Sequence, residues 1–129
     1  MSIKEILETY KTIAVVGLSN HVWRASYSVS QYMQNAGYRI IPVNPFETEA
    51  LGEKCYAALD DVPEPFEIVD IFRRSEYVPE IVEAAIRRNA RVIWMQLGVV
   101  SESAAARARD AGLEVVMDRC ILQDHMLYF

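Results

Sequence analysis

Apolar residues in this chain gather into five short, nearly unbroken runs: TIAVVGL (12–18), YRIIPV (38–43), FEIVDIF (66–72), RVIWMQL (91–97) and LEVVMD (113–118). Runs of this length without polar alternation mark strands buried on both faces. Pro42 lacks an amide donor and places the second run at a strand end or a sheet edge. Between the runs the spacing turns helical. Ser2 and Glu5 have the spacing of a capping box, and Ile3, Ile6, Leu7 and Tyr10 follow as one stripe. Val29, Tyr32, Met33 and Ala36 form a second stripe, with Ser26 as its expected cap and Gly37 as its stop. Ile81, Val82, Ala85 and Ile86 face inward from a helix expected over 78–88. Ser101 caps an alanine-rich helix that Gly112 ends. The stretch 44–66 reads mostly as loop, with a short strand near Glu53–Cys55 and a helical turn near Ala57–Asp61.

Strands alternating with helices predict an α/β fold: a Rossmann-like, doubly wound parallel sheet of five to six strands with helices on both faces. The expectation is one domain over residues 1–129. In such sheets a ligand lies beyond the carboxyl ends of the strands, at the switch in strand order. That rule confines a site to four loops, 17–26, 43–47, 72–77 and 96–101.

Composition narrows the function. The chain is 52% hydrophobic, enough for a real core, and carries a net charge of −5. An acidic balance argues against nucleic acid, whereas a small anion needs only two or three local cations. The N-terminus lacks the basic and apolar regions of a signal peptide, and no apolar stretch reaches the roughly 18 residues of a membrane span. The expected location is cytoplasmic, with Cys55 and Cys120 as thiols. The two cysteines have no metal-ligand spacing, and neither His21 nor His125 belongs to a nucleophile triad or a metal motif. Cys120 is expected to be a buried, inert thiol. Asp70, in mid-strand, is expected to satisfy neighbouring backbone or a loop. Trp23, Trp94 and the tyrosines are expected to serve packing.

The loops carry the chemistry. In GLSNHVWRAS a single glycine, Gly17, permits a tight turn and close approach of backbone to ligand. A pyrophosphate fits the helix start near Ser26, with Ser19, Asn20 and Ser26 as donors and Arg24 as a cation. In the second loop Val43-Asn44-Pro45 stands where a dinucleotide dehydrogenase carries an acid for the ribose hydroxyls. Neutral Asn44 tolerates a phosphate there. Arg73 and Arg74 follow a buried strand, and guanidinium forks match phosphate geometry. Gln96 and Gly98 offer an amide and a close approach at the fourth loop.

Taken together, VVGLS with Arg24, Ser26-Tyr27 and Val29, then YRIIPVNP, LGEK, DDVPEP, VDIFRR, VPEIV, VIWMQLGVV and VVMDRC resemble the small CoA-binding proteins. That family is similar in turn to the N-terminal CoA-binding domain of the succinyl-CoA synthetase alpha subunit. The resemblance implies a Rossmann-like fold with coenzyme A or acyl-CoA as ligand. It places Gly17, Leu18, Ser19, Arg24 and Ser26 along the phosphate turn, and Val43, Asn44 and Pro45 at the adenosine end. It makes Phe72, Arg73, Arg74 and Val78 one wall, and sets Gln96, Leu97 and Gly98 toward the pantetheine arm. Synthetase-type domains usually carry a lysine shortly after the Asn-Pro pair, where this chain has Phe46-Glu47. They also place their phosphohistidine in a different domain. The apolar tail ILQDHMLYF is expected to cover the sheet or to meet a partner, either a second copy or another subunit.

The expected function is binding of CoA or acyl-CoA as a non-catalytic carrier, sensor or regulatory module, with no metal and no catalytic residue of its own. Two alternatives stand beside it. An NAD(P)-dependent oxidoreductase needs an acid or a basic phosphate clamp at position 44 and a second substrate domain. A CoA-handling enzyme subunit needs a partner to complete it.

Overall fold

The computed structural model describes residues 1–129. In chain order the elements are α1 (Ile3–Thr9), β1 (Thr12–Val16), α2 (Ala25–Asn35), β2 (Arg39–Val43), β3 (Glu49–Ala50), β4 (Glu53–Lys54), β5 (Ile68–Ile71), α3 (Val78–Arg87), β6 (Val92–Met95), α4 (Glu102–Asp110), β7 (Glu114–Val116) and α5 (Ile121–Tyr128). Single turns of 3-10 helix lie at Leu59–Asp61 and Ser75–Tyr77. Five parallel strands form one sheet in the order β2-β1-β5-β6-β7, and β3 and β4 form a separate antiparallel ribbon. This is the Rossmann-like α/β architecture expected from the alternation of elements.

Strand alternation splits the core in two. Ala14, Val16, Val69, Ile71, Ile93 and Met95 face α3 and α4. Ile13, Val15, Ile68, Val92 and Trp94 face the side of α1, α2 and α5. Because both faces are covered, each strand needs apolar residues at every position, which is why the runs read as unbroken. Pro42 stands on the edge strand β2, and its carbonyl accepts from Tyr56 N–H on the outer side at 3.0 Å. Its missing donor therefore costs no bond to β1.

Local end signals hold at several places. The capping box at α1 is complete, with Glu5 N–H donating to Ser2 Oγ at 3.1 Å and Ser2 N–H donating to Glu5 Oε1 at 3.0 Å. Ser101 Oγ accepts from Ala104 N–H at the start of α4. Two expectations fail. The residue capping α2 is Arg24, which offers no side-chain acceptor, while Ser26 is the helix's second residue. The last strand shortens to Glu114–Val116. The tail, for which no element was expected, forms a helix, α5, with Ile121 and Asp124 buried.

α5 is fastened by specific polar contacts. Arg119 makes a bidentate pair with Asp124 at 2.8 and 2.6 Å. Trp94 Nε1 donates to Arg119 O at 2.9 Å. Tyr32 OH lies 2.8 Å from His125 Nδ1, joining α2 to α5. The tail thus covers the sheet, and its outer side leaves Met126, Leu127, Tyr128 and Phe129 exposed.

The chain passes from β1 to β2 on one side and returns to β5 on the other, so strand order switches between β1 and β5. Their carboxyl ends deliver Gly17 and Phe72 to the same point of the rim.

Candidate functional site

Gly17 adopts φ 93°, and a Cβ there would lie 2.4 Å from the Phe72 carbonyl oxygen. The glycine is therefore set by contact between two loops of the switch point. A Cβ there would meet protein, while the Gly17 backbone lines the cleft beside α2. After it the turn is held by its own side chains. Ser19 N–H donates to Ser26 Oγ at 3.0 Å, and His21 N–H donates to Ser19 Oγ at 3.1 Å. With Ser26 Oγ committed to the turn and Arg24 offering no acceptor, the Ala25 and Ser26 amides at the head of α2 meet no protein acceptor. Unpaired amides and the helix dipole make that point electropositive.

Backbone alternation at the strand ends divides the rim into two clefts. Gly17, Asn44 and Phe72 turn toward α2 and line a cleft of about 420 Å³ with Ser19, His21, Arg24, Ser26, Phe46 and Glu47. Their chain neighbours Val16, Val43, Pro45 and Arg73 turn toward α3 and line a second cleft of about 300 Å³ with Leu59, Ile81 and Ala84. An Arg87–Asp60 ion pair at 2.7 Å stands among the walls of the second cleft. The α2 cleft is polar, and the α3 cleft has an apolar floor.

The expected site residues separate accordingly. Gly17, Ser19, Arg24, Ser26, Asn44 and Phe72 share the α2 cleft, while Val43, Pro45 and Arg73 share the α3 cleft. Arg73 lies over the Tyr77 ring at 4.5 Å and has no acid partner. Arg74 diverges from it, with a side chain 82% exposed and a loose 3.8 Å contact to Glu76. Leu18 and Val78 have no exposed surface, so their side chains belong to the core. Asn44 is tied at both ends: its Nδ2 donates to Leu18 O at 3.1 Å and its Oδ1 accepts from Phe46 N–H at 2.9 Å.

The fourth loop lies apart from both clefts. Gln96 is buried, and its Oε1 accepts from Ile121 N–H at 2.9 Å, so its amide oxygen serves the start of α5. Gly98 has φ 81° with open space around its Cβ position, and its amide donates to Asp118 Oδ1 at 2.7 Å. The positive φ favours glycine there, and the space beside it is open. Leu97 is exposed beside a small hollow that Cys120 also lines.

A family profile described as "CoA binding domain" matches residues 11–126. The chain belongs to that CoA-binding domain family. It is 48% identical over 123 residues to the uncharacterized protein YneT of Bacillus subtilis, covering 95% of this chain and 91% of the relative. A solved structure of a hypothetical protein from Pyrococcus horikoshii is 40% identical with a TM-score of 0.95, covering 98% of this chain and 89% of that one. An ADP-forming acetate–CoA ligase of Methanocaldococcus jannaschii is 25% identical over 81 residues. That alignment takes in 63% of this chain and only 12% of the ligase. The CoA-binding domain thus occurs within larger CoA ligases, and here it spans nearly the whole sequence.

Within the CoA-binding domain fold three features escaped the sequence reading. Glu47 reaches back to the turn after β1, where its Oε2 accepts from Asn20 N–H at 2.6 Å. Its distance of two residues from Asn44-Pro45 was the available signal. Trp23 is 74% exposed and stacks on His21 at 4.5 Å instead of packing inside, and Phe46 is 88% exposed across the same cleft. Asp70 is fully buried in β5, with Oδ1 lacking any partner, contrary to the expectation of a satisfied carboxyl. Burial holds that carboxyl well above the usual carboxylate range. Burial likewise pushes up the Cys55 thiol, whose Sγ donates to Asn44 O. No group of three or more His, Cys, Asp or Glu side chains has metal-binding proximity. No helix is long and apolar enough to cross a membrane.

Proposed function

We propose that this protein binds coenzyme A or an acyl-CoA across the carboxyl rim, as a carrier, sensor or regulatory module. The observation that carries the reading is the unpaired head of α2, facing a polar cleft in a chain whose family is a CoA-binding domain. The pyrophosphate takes the Ala25 and Ser26 amides with Arg24 as counter-charge. The ribose crosses the end of β2. The adenine enters the apolar α3 cleft between Pro45 and Ile81, with Arg73 above it. Phe72, Leu97 and Gly98 mark the direction of the pantetheine arm. A second reading, a CoA-handling subunit completed by another chain, draws support from the acetate–CoA ligases in which a similar segment is a small part.

Calorimetric titration tests the reading and separates the two arginines. Wild type is expected to bind CoA saturably at one site. Arg73→Ala weakens binding about tenfold, in keeping with loss of one cation–π contact over the base worth ~1.4 kcal/mol. Arg74→Ala leaves affinity within about twofold, because an exposed, loosely paired charge contributes little. Absence of CoA binding by wild type overturns the reading, and equal losses in the two variants overturn the placement.

A further inference from the structure

α5 carries the half-buried His125 in among aromatic rings, most of them from other elements. Its Nδ1 lies 2.8 Å from Tyr32 OH of α2. The Tyr32 and Tyr38 rings meet it edge-on at 5.4 and 5.7 Å, and Phe129 stacks on it at 4.9 Å. The cluster extends to α1, where Tyr38 OH donates to Leu7 O at 2.6 Å. Lys11 Nζ lies 4.7 Å from the Tyr38 ring and donates to the same carbonyl at 3.0 Å. One imidazole thus sits where α1, α2 and α5 meet. No acid pairs with it: Asp124, on the same helix, holds Arg119, and Lys4 and Glu8 of α1 pair with each other at 3.8 Å on the surface. Lys11 is the charge that bears on the ring.

We propose that His125 is an acid-sensitive latch: neutral, it holds α5 on the sheet, and a proton on it loosens the helix and, with it, the fourth loop of the rim. A neutral imidazole suits apolar rings and one tyrosine hydroxyl. A protonated one needs an acceptor for each N–H and meets a second cation in Lys11. Partial burial first, and Lys11 second, hold His125 below the ordinary histidine value of 6.5. The released helix therefore takes up the proton more readily than the docked one. Docking is strongest above that value and weakens as pH falls through it. Asp70, the register neighbour of Trp94 on the same face of the sheet, runs in the opposite sense, because falling pH relieves the cost of its burial. At the head of α5 the link to the rim is direct. Ile121 N–H donates to Gln96 Oε1 at 2.9 Å, and Arg119 O accepts from Trp94 Nε1 at 2.9 Å. Between these anchors Cys120 is buried, on a hollow of about 170 Å³ that Leu97 also lines. Loosening α5 uncovers that thiol and frees the Gln96 amide oxygen.

Hydrogen exchange by mass spectrometry on the full chain, corrected for intrinsic rates, measures this at pH ~7.5 and ~5, either side of the ordinary histidine value. In wild type, protection of the α5 amides is expected to fall about fivefold or more at the lower pH, while the β1 and β6 amides keep theirs. His125→Phe and His125→Gln carry no titrating ring and leave α5 equally protected at both values. Lys11→Gln lessens the loss seen in wild type. Protection of α5 that does not change with pH in wild type overturns the proposal. So does a loss that persists in both His125 variants, or one that β1 and β6 share.

Discussion

At Gly17 the positive φ and the Phe72 carbonyl beside the would-be Cβ combine a conformational and a steric demand on one residue. That explains how the turn after β1 keeps one glycine where dinucleotide-binding turns carry three: the remaining positions bond through Ser19 and Ser26 side chains. Asp70 presents the opposite problem, a carboxyl in β5 with register neighbours Val15 and Trp94 and a partnerless Oδ1. Its folded pKa lies well above the ordinary 3.8 because of burial, so folding takes up a proton. Below pH ~4 both states are protonated and no penalty exists. As pH rises from there toward the folded pKa, stability declines. Asp70→Asn is expected to flatten that decline and to raise the urea midpoint at neutral pH. A variant as pH-dependent as wild type over that window contradicts the assignment. Nothing in the sequence IVDIF distinguished a satisfied aspartate from an orphaned one, because the difference lies in what the fold places around it.

Helix ends show which signals are local. The Ser2–Glu5 box and the Ser101 cap were legible because donor and acceptor lie three residues apart. Ser26 misled because its hydroxyl is taken by Ser19 N–H, seven residues back, as the turn folds over the helix start. The tail's helix was illegible for a related reason. Its anchors are Gln96, Tyr32 and Trp94, all distant in sequence. The uncapped start of α2 has a stability consequence. Arg24→Asp supplies an acceptor and a favourable charge at the positive end of the dipole, and should stabilise the fold by about 0.5–1 kcal/mol in urea unfolding. The same change puts an acid where the pyrophosphate is proposed to lie, and should weaken CoA binding at least tenfold. A stabilised variant with undiminished CoA affinity contradicts the role given to α2.

For the molecule as a whole, the parallel sheet was legible because burial on both faces leaves unbroken apolar runs, and the rim was legible because strand order dictates where ligands bind. The division of that rim was not. Alternate residues of 43–46 and 72–73 line different clefts, so residues adjacent in sequence serve different sites on the rim. Position 96 was assigned to the rim by its place at a strand end, yet its side chain is committed to α5. Polar and apolar clefts meeting over β2 suit a ligand with a phosphorylated end and an aromatic base, and the rim adds exposed Val22, Trp23 and Phe46 around them. Such a ligand, binding only the folded protein, stabilises it by RT ln(1 + [L]/Kd), about 2.7 kcal/mol at ~100 times Kd. The most direct measurement is therefore thermal unfolding with CoA and, separately, with NAD at equal concentration. The account predicts a rise in Tm of roughly 10 °C for CoA at that excess and none for NAD. Equal shifts for the two compounds, or no shift with CoA, would contradict it.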